Sequence, residues 1–596
     1  MQQLGASAFA LFEDNLAQAP RACLLEGLEQ RLLAHHSSEL AEFFERLEAA
    51  QASGRWIALA ARYELGSAFE PHLLHCHSTQ PLLQAWVFAH RSELSGDALA
   101  HWWQMQAAAL SPQASEAGLL HLEADWDEAR HATACQRILD YIHAGDCYQV
   151  NLTFPLRGQI YGHPLALAAR LREAQPVAHG VLIHDGEDWI ISRSPELFVE
   201  RHASTLTCRP MKGTATRSDD PLADAAAASR LVHSDKDRAE NLMIVDLIRN
   251  DLGRLAPAGG VRVEQMFSLE TYPSVHQLTS TVSAEPVSAP LETIFHALFP
   301  CGSITGAPKI RAMQIINELE DGPRGIYCGA LGWLAPEGEF SLNVPIRTLL
   351  VDSEGACRLD VGSGVVADSE PAAEYRECLT KSRFLTQLEP PLQLIETLRW
   401  TPSEGYPFLN GHLERLQASA RTLAFSCPLT EIRAALQALA DILPGCAQRV
   451  RLLLSRNGQF NLQNAGLDET PATARFALAD WALDPQDPRL SHKTTARRFY
   501  DSALQSALQR GLFDLVFCNT RGELCEGTRS NLFLEIDGKM LTPASHCGLL
   551  PGVLRTSLLA SGKALEAVLQ REDLARANRI WLGNALRGLI EVTQAT

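Results

Sequence analysis

The sequence predicts an α+β protein in which a large mixed α/β domain is followed by a smaller domain of two α/β lobes. Its 596 residues exceed the roughly 100 to 200 residues of a usual domain, so a single core is excluded. Strand-like segments alternate with long helical patterns, and hydrophobic residues make up 46% of the chain. Two adjacent prolines end a helical pattern, because proline fixes φ and lacks an N–H donor. We therefore predict a first domain of residues 1–388, a linker of residues 389–391 and a second domain of residues 392–596.

The predicted elements follow from the spacing of apolar residues along the chain. In the first domain this spacing predicts strands at 180–184, 189–192 and 197–200 and helices at 130–144, 239–252 and 307–320. In the second domain it predicts strands at 392–398, 450–454 and 532–536 and a helix at 413–423. A ligand site between the two lobes of the second domain fits this pattern.

The composition excludes several classes of partner. The 52 basic and 70 acidic side chains leave a formal charge of −18, which repels nucleic-acid backbones and anionic membranes. The 14 cysteines show no spacing typical of zinc ligands, and no segment approaches the ~20 apolar residues of a membrane helix. The first residues lack a basic segment before their apolar run, so no signal peptide is predicted. We expect a cytoplasmic protein that binds neither nucleic acid nor membrane.

Two acidic pairs in the first domain are candidates for binding a metal ion. Asp237 and Glu240, and likewise Glu374 and Glu377, are three residues apart on predicted helices, so each pair shares one helix face. Such carboxylates suit Mg²⁺, which takes one or two protein carboxylates and completes its shell with water and substrate oxygens. Solvated helix faces carry the same spacing more often, so the spacing alone leaves both interpretations open.

Two glycine-containing segments are candidates for binding an anionic ligand. Gly362 and Gly364 let a ligand approach the backbone N–H groups, although a tight strand turn has the same pattern. Pro308 and Lys309 follow small residues at a predicted helix start, where free N–H groups face a ligand. Each signal is weak by itself.

Seven segments of the first domain, taken in order, resemble the chorismate-utilising enzymes. They are Gly145-Asp-Cys-Tyr-Gln-Val-Asn, Ser194-Pro-Glu-Leu-Phe, Arg209-Pro-Met-Lys-Gly-Thr, Ala239-Glu-Asn-Leu-Met-Ile-Val-Asp-Leu-Ile-Arg-Asn-Asp-Leu-Gly-Arg, Gly302-Ser-Ile-Thr-Gly-Ala-Pro-Lys, Gly362-Ser-Gly-Val-Val-Ala-Asp-Ser and Glu374-Tyr-Arg-Glu. The resemblance covers residues 140–386. Residues 1–130 are divergent, and only Leu24-Leu25-Glu26 resembles a tryptophan-binding segment of relatives.

This resemblance assigns roles to residues of the first domain. It implies a Mg²⁺ site that holds the ring carboxylate of chorismate, with inner ligands Glu240 and Glu377 and outer ligands Asp237 and Glu374. The candidate substrate-binding residues are Tyr327, Arg347, Gly362, Gly364 and Lys309, and the residues implied near the departing hydroxyl are His276 and Thr305. A lone histidine is more often a satisfied core residue than an acid catalyst.

Lys212 decides which reaction the resemblance implies. In the related anthranilate synthases this position looks like an alanine, and ammonia can then attack ring carbon 2 directly. A lysine whose pKa is lowered by burial or by neighbouring cations can be the first nucleophile. The resemblance then implies attack of Lys212 at carbon 2 with loss of the 4-hydroxyl, followed by attack of ammonia at carbon 4. A structural or substrate-pairing lysine is the alternative.

The second domain carries a lysine, a carboxylate and two candidate phosphate-binding segments. Lys493 is a candidate Schiff-base partner for pyridoxal phosphate, and Glu526 is a candidate partner of the pyridinium nitrogen. Arg415 in a predicted helix and the Gly552-Val553 turn suit a phosphate. Together with Asn584-Ala-Leu-Arg-Gly-Leu, these segments resemble the fold class IV pyridoxal phosphate enzymes over nearly all of the second domain.

The two resemblances together imply a two-step enzyme. The first domain would convert chorismate and ammonia to 4-amino-4-deoxychorismate, and the second would release pyruvate to leave 4-aminobenzoate, the aryl part of folate. Lys493 would remove the hydrogen at carbon 4, and Thr397 would help to protonate the leaving group. No glutamine amidotransferase segment with a G-x-C-x-G cysteine is found, so we expect ammonia from a separate glutaminase subunit or from solution. A homodimer formed through the second domain is a further expectation.

Two alternatives stay open on the sequence. An anthranilate- or salicylate-type chorismate enzyme joined to a general aminotransferase is one, and Lys212 argues against its anthranilate version. A second domain that is a non-catalytic dimerisation module is the other, and Lys493 with Glu526 argues against it.

Overall fold

The chain folds into two compact units. The structure, a computed structural model, describes residues 8–70, 73, 79–218, 220–272, 275–388, 392–467 and 474–595. The first unit comprises residues 1–109, 122–159 and 167–388, and the second comprises 110–121, 160–166 and 389–596. Two short segments of the predicted first domain therefore group with the second unit, since Leu120 and Tyr161 belong to one of its apolar clusters. The predicted linker, 389–391, lies outside the described residues.

A large sheet forms the centre of the first 388 residues. Its strands are β1 (Phe9–Asp14), β2 (Arg21–Ala34), β3 (Trp56–Ala61), β4 (Leu83–Ser95), β5 (Gly118–Ala124), β6 (Gln149–Tyr161), β7 (His179–His184), β8 (Trp189–Ser194), β9 (Leu197–His202), β10 (Thr205–Arg209), β11 (Met211–Thr216), β12 (Val261–Thr271), β13 (Val275–Ala284), β14 (Gly306–Ala307), β15 (Ala330–Leu334), β16 (Phe340–Asn343), β17 (Thr348–Val351) and β18 (Ala356–Val365). Strand β1 pairs with β7, and β3 pairs with β15, so the divergent N-terminal part is built into the same sheet.

Helices pack against this sheet and bury its apolar side chains. The helices of the first 388 residues are α1 (Leu40–Ala52), α2 (Leu65–Phe69), α3 (Gly96–Ala108), α4 (Pro112–Ser115), α5 (Glu128–His143), α6 (Pro164–Ala174), α7 (Pro221–Val232), α8 (Asp235–Leu252), α9 (Leu291–Leu298), α10 (Lys309–Leu319), α11 (Pro371–Lys381) and α12 (Arg383–Thr386), of which α4 groups with the second unit. Buried Ile138, Ile244 and Ile316 bring α5, α8 and α10 into one core with the strands.

The remaining elements follow residue 392 and build the second unit. The strands are β19 (Gln393–Trp400), β20 (Gln448–Ser455), β21 (Phe460–Gly466), β22 (Ala474–Leu478), β23 (Asp514–Cys518), β24 (Leu524–Gly527), β25 (Asn531–Ile536), β26 (Lys539–Pro543), β27 (Leu565–Ala567), β28 (Arg579–Asn584) and β29 (Gly588–Gln594). The helices are α13 (Leu409–Thr422), α14 (Leu429–Ala440), α15 (Arg498–Gln509), α16 (Val553–Ala560) and α17 (Asp573–Arg576).

These elements form two lobes with separate cores. Strands β19, β20 and β21 make a three-stranded antiparallel sheet, and Leu416 of α13 and Ile432 of α14 pack with its apolar face. Strands β22 to β29 make a second sheet around buried Phe476 and Leu532. The predicted order, a large mixed α/β domain followed by a two-lobed domain, is confirmed.

The predicted elements exist, and their bounds differ at the ends. The helix predicted from Ala239 begins at Asp235, because the Ser234 side chain accepts a hydrogen bond from the Asp237 N–H and caps the first turn. The glycines at 362 and 364 lie within β18 rather than in a turn. A methyl on Gly362 would meet Thr153 Cγ2 at 2.6 Å, so close packing against β6 requires glycine at that position.

Candidate functional sites

Lys212 projects from β11 toward the glycines of β18. A methyl group placed on Gly364 would lie 3.1 Å from Lys212 Nζ, so the amine sits directly beside that strand. Burial lowers the pKa of Lys212, Lys381 lowers it further, and the nearby carboxylates Glu240 and Glu196 partly offset this effect. The amine is therefore deprotonated more readily than that of an ordinary lysine, as a nucleophile requires.

The predicted metal ligands lie on α8 and α11: Asp237 and Glu374 are in the first turns, and Glu240 and Glu377 follow three residues later. Glu240 and Glu377 both interact electrostatically with Lys212. In the structure Glu377 pairs with Lys381 at 2.9 Å, and Glu374 accepts a hydrogen bond from the Ser369 hydroxyl at 2.7 Å. Among the residues that the structure describes, no three acidic, histidine or cysteine side chains gather as a ready metal site.

The chemistry of these donors nevertheless fits a hard divalent cation. Burial raises the pKa of Glu240, and the adjacent Asp237 adds to this effect, so a cation that relieved the repulsion would be stabilised. Lysine ammonium groups supply that positive charge in the structure. Magnesium at this position stays a prediction.

Glu196, which sequence reasoning did not single out as a site residue, is a buried acid beside Lys212. It is 3% exposed, and it accepts a hydrogen bond from the Ser303 hydroxyl at 2.6 Å. Burial raises the pKa of Glu196 to about 7, and Ser303 and Lys212 oppose the rise. A carboxyl group with a pKa near neutrality can donate a proton to a leaving group. Its segment, Ser194-Pro-Glu-Leu-Phe, was a motif without an assigned role, and only the burial reveals its chemistry.

Gln149 is a second residue that lies in one of the sequence motifs and has no role predicted for it. It is fully buried, and within the described part of the chain neither its side-chain oxygen nor its side-chain nitrogen has a hydrogen-bond partner. A methyl on Gly364 would meet the Gln149 Nε2 at 3.1 Å, the same distance as to Lys212 Nζ. A buried amide without partners is costly unless a ligand satisfies it. Gln149 therefore lines the same small space as Lys212.

Two predicted substrate-binding residues have features typical of a binding site. Arg347 takes a φ of 51°, and its buried Nη1 has no hydrogen-bond partner among the described residues. A left-handed conformation at a non-glycine residue is strained and often marks a functional position. Tyr327 is buried, and burial raises its pKa well above the usual range, so its phenol stays protonated. The carbonyl of Gly362 accepts a hydrogen bond from Lys381 Nζ at 2.8 Å.

Three other predicted site residues are occupied by partners within the protein. His276 Nε2 lies 3.0 Å from Asp224 Oδ1, and His276 Nδ1 lies 3.0 Å from the Thr271 hydroxyl. The Thr305 hydroxyl donates to the Cys301 carbonyl at 2.7 Å.

Lys309 likewise has partners within the protein. Its ammonium donates to Asp251 at 2.6 Å and to the Leu298 carbonyl at 3.0 Å. These hydrogen bonds do not test the predicted roles of His276, Thr305 and Lys309, which stay predictions.

A cavity of about 400 Å³ in the second unit contains the predicted cofactor residues. Lys493 lies on its wall, and its carbonyl accepts a hydrogen bond from the Ile395 N–H at 2.8 Å, which fixes the segment to β19. Burial lowers the pKa of Lys493 to about 7, and Arg415 and Arg497 contribute to the shift. The amine is thus poised to react with an aldehyde near neutral pH.

Glu526 lies on β24 in the same cavity. The Tyr500 hydroxyl donates to it at 2.7 Å, and Asn531 Nδ2 lies 3.4 Å from its other oxygen. Burial raises the pKa of Glu526 to about 7. A buried carboxyl group of this kind suits a cationic partner, and a pyridinium nitrogen is one.

The candidate phosphate-binding residues also line the cavity. The Arg415 guanidinium is held by two hydrogen bonds to buried Glu396, at 2.9 and 2.6 Å. Val553 begins α16, and a methyl on Gly552 would meet Asn531 Oδ1 at 2.0 Å, so only glycine fits there. These groups, with the lysine and the buried carboxyl, fit a pyridine aldehyde that carries a phosphate.

Thr397 also lines the cavity, from the middle of β19. It shares a strand face with Ile395, another residue of the cavity wall. Its position is compatible with its predicted role, which stays a prediction.

Each of the two parts of the chain matches a known protein family. The family described as chorismate binding enzyme matches residues 8–387, which is well over half of the chain. The chain therefore belongs to the chorismate binding enzymes. The family described as amino-transferase class IV matches residues 393–595, so a second enzyme fold follows the first in the same chain. The fusion that the sequence predicts is thus confirmed.

Individual relatives match the first unit. Aminodeoxychorismate synthase component 1 of Klebsiella aerogenes is 44% identical over 256 residues, 43% of this chain and 56% of that protein. The protein of the same name in Escherichia coli K12 is 41% identical over 274 residues, 45% of this chain and 60% of that protein. The chain thus spans little more than half the length of these relatives.

One solved structure supports the fold of this unit. Anthranilate synthase component I from Streptococcus pneumoniae TIGR4 has a TM-score of 0.53 at 23% identity. It covers 61% of this chain and 92% of its own.

Proposed function

We propose that this chain is a bifunctional enzyme that makes 4-aminobenzoate from chorismate in two steps. The first unit acts as an aminodeoxychorismate synthase component 1, and the second acts as an aminodeoxychorismate lyase. The observation that carries the proposal is Lys212: a buried lysine with a lowered pKa beside Gly364. The 44% identity to a protein named aminodeoxychorismate synthase component 1 supports it.

In the first reaction Lys212 is the nucleophile. Its neutral amine forms a bond to ring carbon 2, the ring double bonds shift, and the 4-hydroxyl departs. Glu196 gives this hydroxyl a proton, so that it leaves as water, because a buried carboxyl group with a pKa of about 7 is partly protonated at neutral pH. Ammonia then bonds to carbon 4 and the electrons return, which expels the Lys212 amine. Arg347 and Tyr327 hold the enolpyruvyl carboxylate of the substrate.

Glu240 and Glu377 would hold Mg²⁺, with Asp237 and Glu374 around it. The ion would supply positive charge opposite the ring carboxylate of chorismate. The steps in which bonds form and break use residues of the chain. Gln149, whose amide atoms have no partner among the residues that the structure describes, would donate to and accept from the substrate near Lys212.

In the second reaction Lys493 moves a proton. Pyridoxal phosphate, when bound, supplies an electron sink that acidifies the carbon next to the substrate nitrogen. Lys493 would hold the proton taken from carbon 4, Glu526 would pair with the pyridine nitrogen, and Arg415 with the Gly552-Val553 turn would hold the phosphate. Thr397 would help to protonate the ether oxygen as pyruvate leaves. Aromatisation of the ring makes this elimination favourable.

Ammonia would come from a separate glutaminase subunit or from solution, and the second unit would form a homodimer. Both belong to the proposal, as does a cytoplasmic location. Among the described residues no helix is long and apolar enough to cross a membrane.

The proposal is tested one unit at a time with the purified chain. With chorismate, Mg²⁺ and ammonium but no pyridoxal phosphate, the first unit should yield aminodeoxychorismate, identified by mass. Anthranilate as the product would overturn the argument from Lys212. With pyridoxal phosphate and supplied aminodeoxychorismate, the second unit should release pyruvate. Transamination without pyruvate would make the second unit a general aminotransferase instead.

A further inference from the structure

Arg489 is a buried cation in the wall of the second unit's cavity. Its side chain is 1% exposed, and it shortly precedes Lys493 in the chain. Asp487, a close neighbour in sequence, pairs with its guanidinium at 2.6 Å. A buried guanidinium needs further partners, because each unsatisfied N–H group costs free energy. The other contacts of Arg489 therefore help to fix this part of the cavity wall.

Two of these contacts come from residues 110–121. These residues belong to the second unit, although they lie in the sequence that the chorismate binding family matches. The Gln113 carbonyl accepts a hydrogen bond from Arg489 Nη2 at 2.8 Å, and Glu116 Oε2 lies 3.3 Å from Arg489 Nη1. The amino-transferase class IV match begins at residue 393 and includes neither partner.

Aromatic rings complete the surroundings of Arg489. The ring centroids of Tyr161 and Phe499 lie 4.7 and 4.8 Å from its guanidinium carbon. Tyr161 also belongs to the second unit and also lies outside the class IV match. A guanidinium over an aromatic face is stabilised, more so when it is buried. Arg489 is thus enclosed by groups from two distant parts of the sequence.

The side chain of Gln113 holds the turn that leads to Lys493. Gln113 is 2% exposed, its Oε1 accepts a hydrogen bond from the Asp484 N–H at 2.7 Å, and its Nε2 donates to Asp487 Oδ2 at 2.8 Å. The single 3-10 turn Pro488–Ser491 follows directly and ends just before Lys493. Gln113 therefore fixes the start of the segment that carries this lysine.

Glu116 caps helix α15. Its Oε1 accepts a hydrogen bond from the Arg498 N–H at 3.2 Å, and its Oε2 accepts one from the Phe499 N–H at 3.4 Å. The residue that precedes the helix, Arg497, has no side-chain acceptor and makes no cap. A carboxylate at a helix N-terminus satisfies free N–H groups and opposes the positive end of the helix dipole.

The capped turn carries a residue that holds the candidate partner of the pyridinium nitrogen. Tyr500 follows Phe499 in the first turn of α15, and its hydroxyl donates to Glu526 at 2.7 Å. Tyr500 also lines the cavity. One carboxylate, that of Glu116, thus touches both the buried cation before Lys493 and the helix turn that supports Glu526.

We propose that Gln113 and Glu116 are positioning residues for the second active site. They hold the segment that carries Lys493 and the first turn of α15, and they act through Arg489 and Tyr500. This inference rests on the proposed function of the second unit, in which Lys493 and Glu526 bind pyridoxal phosphate. It follows that the second reaction depends on side chains outside the class IV sequence.

The test uses the full chain and two variants that keep the size of the side chain. Glu116→Gln removes the charge of the cap, and Gln113→Met removes both side-chain hydrogen bonds. Glu116→Asp keeps the charge and is the conservative variant. Glu123→Gln is the matched control, because Glu123 is exposed on β5 in the same stretch of sequence.

The first measurement needs neither cofactor nor substrate. Hydrogen exchange of the cofactor-free chain is followed by mass on peptides that cover residues 484–500. Pyridoxal phosphate affinity is then measured by titrating its visible absorbance band, and pyruvate release from aminodeoxychorismate at saturating cofactor gives kcat and KM. Amination of chorismate by the first unit, assayed without pyridoxal phosphate, is the internal control of each variant.

We expect exchange over residues 484–500 to be about fivefold faster in Glu116→Gln and in Gln113→Met, as for the loss of a helix cap or a buried hydrogen bond. Pyridoxal phosphate affinity and kcat should each fall about tenfold, with KM within about twofold, because misplaced groups slow proton transfer more than they weaken substrate binding. Amination should be unchanged. Glu116→Asp should regain most of the loss, and Glu123→Gln should match the parent chain.

The pH dependence separates positioning from a general loss of stability. A looser segment admits water around Lys493, so the pKa of its amine should rise from about 7 toward that of an ordinary lysine. The midpoint of the pH profile for formation of the absorbance band should then move to higher pH in Glu116→Gln and in Gln113→Met. Lower overall stability alone would leave this midpoint in place.

Unchanged exchange over residues 484–500 in both variants would overturn the inference. So would faster exchange with unchanged cofactor affinity and kcat, because these contacts would then serve the fold alone. An equal loss of amination would assign Gln113 and Glu116 to the first reaction and overturn it as well. A parent chain that binds pyridoxal phosphate but releases no pyruvate would refute the proposed lyase function. Exchange and cofactor affinity would still decide the positioning role.

Discussion

Two lysines carry the proposed chemistry, and both lie where burial disfavours their charged form. Lys212 sits beside Gly364 in the first unit, and Lys493 lines the cavity of the second. Both lysines can be identified as candidates from the sequence, because a lysine side chain is itself a reactive group. Glu196 and Gln149 lie in two other segments of the same resemblance. Their roles depend on burial and, for Gln149, on amide atoms without partners among the described residues, which no spacing reveals.

We expect Lys212→Ala to lower the formation of aminodeoxychorismate at least 100-fold, because the first bond to carbon 2 can no longer form. Product formation is measured by mass with chorismate, Mg²⁺ and ammonium. Pyruvate release from supplied aminodeoxychorismate by the same variant is the internal control and should be unchanged. Normal amination by Lys212→Ala would remove the nucleophile assignment.

The pKa of Glu196 predicts how the rate of amination depends on pH. The protonated carboxyl group of Glu196 is the active form, and its pKa is about 7. With the concentration of free ammonia held constant, Glu196 should therefore add a decline above neutrality to the rise that deprotonation of Lys212 causes. Glu196→Gln should lower the rate about 100-fold and abolish this decline. An unaltered pH profile in Glu196→Gln would assign the proton to another group.

The pKa of Lys493 predicts how the rate of pyridoxal phosphate binding depends on pH. Its pKa of about 7 means that the neutral amine dominates above that pH, whereas an ordinary lysine titrates near 10.5. The rate at which the cofactor-free chain forms its visible absorbance band with pyridoxal phosphate should rise through pH 7 and level off by about pH 8. A rate that keeps rising toward pH 10 would contradict the assigned environment of Lys493.

At the scale of the elements, the sequence predicts the strands and helices better than it predicts their contacts. Apolar spacing indicates α8 and β18, but the cap at Ser234 and the packing of Gly362 against β6 depend on partners distant in the chain. The same holds for His276, since its partner Asp224 lies 52 residues away. A motif can therefore name a residue correctly and still misjudge what it contacts.

The turn before α16 gives a prediction at this scale. Gly552→Ala would place a methyl 2.0 Å from Asn531 Oδ1, so the turn must open and the phosphate-binding N–H groups must move. We expect pyridoxal phosphate affinity to fall at least tenfold in a titration of the absorbance band. Gly445→Ala is the control, because a methyl there meets nothing within 4 Å. Equal affinity in both variants would show that the turn does not hold the phosphate.

At the scale of the whole molecule, two enzyme folds follow each other in one chain. The order of the motifs predicts this fusion, and the family matches over 8–387 and 393–595 agree. The sequence did not predict that residues 110–121 and 160–166 group with the second unit. Such grouping depends on tertiary packing, as with Leu120 in the core of the three-stranded lobe, and packing leaves no local signal.

Two sites in one chain predict that each step can be stopped separately. Lys493→Ala removes the group that moves the proton at carbon 4, while the first unit keeps every residue assigned to amination. Aminodeoxychorismate should then accumulate from chorismate at the parental rate, and 4-aminobenzoate should be absent. Formation of 4-aminobenzoate at the parental rate by this variant would show that the second site is misassigned.

The most direct test of the two-step reaction is one incubation of the parent chain. Chorismate, Mg²⁺, an ammonium salt and pyridoxal phosphate are supplied together, and 4-aminobenzoate and pyruvate are quantified by mass over time. We predict that both products form in equal amounts, with aminodeoxychorismate as a transient. Anthranilate, or aminodeoxychorismate that persists without pyruvate, would contradict the account.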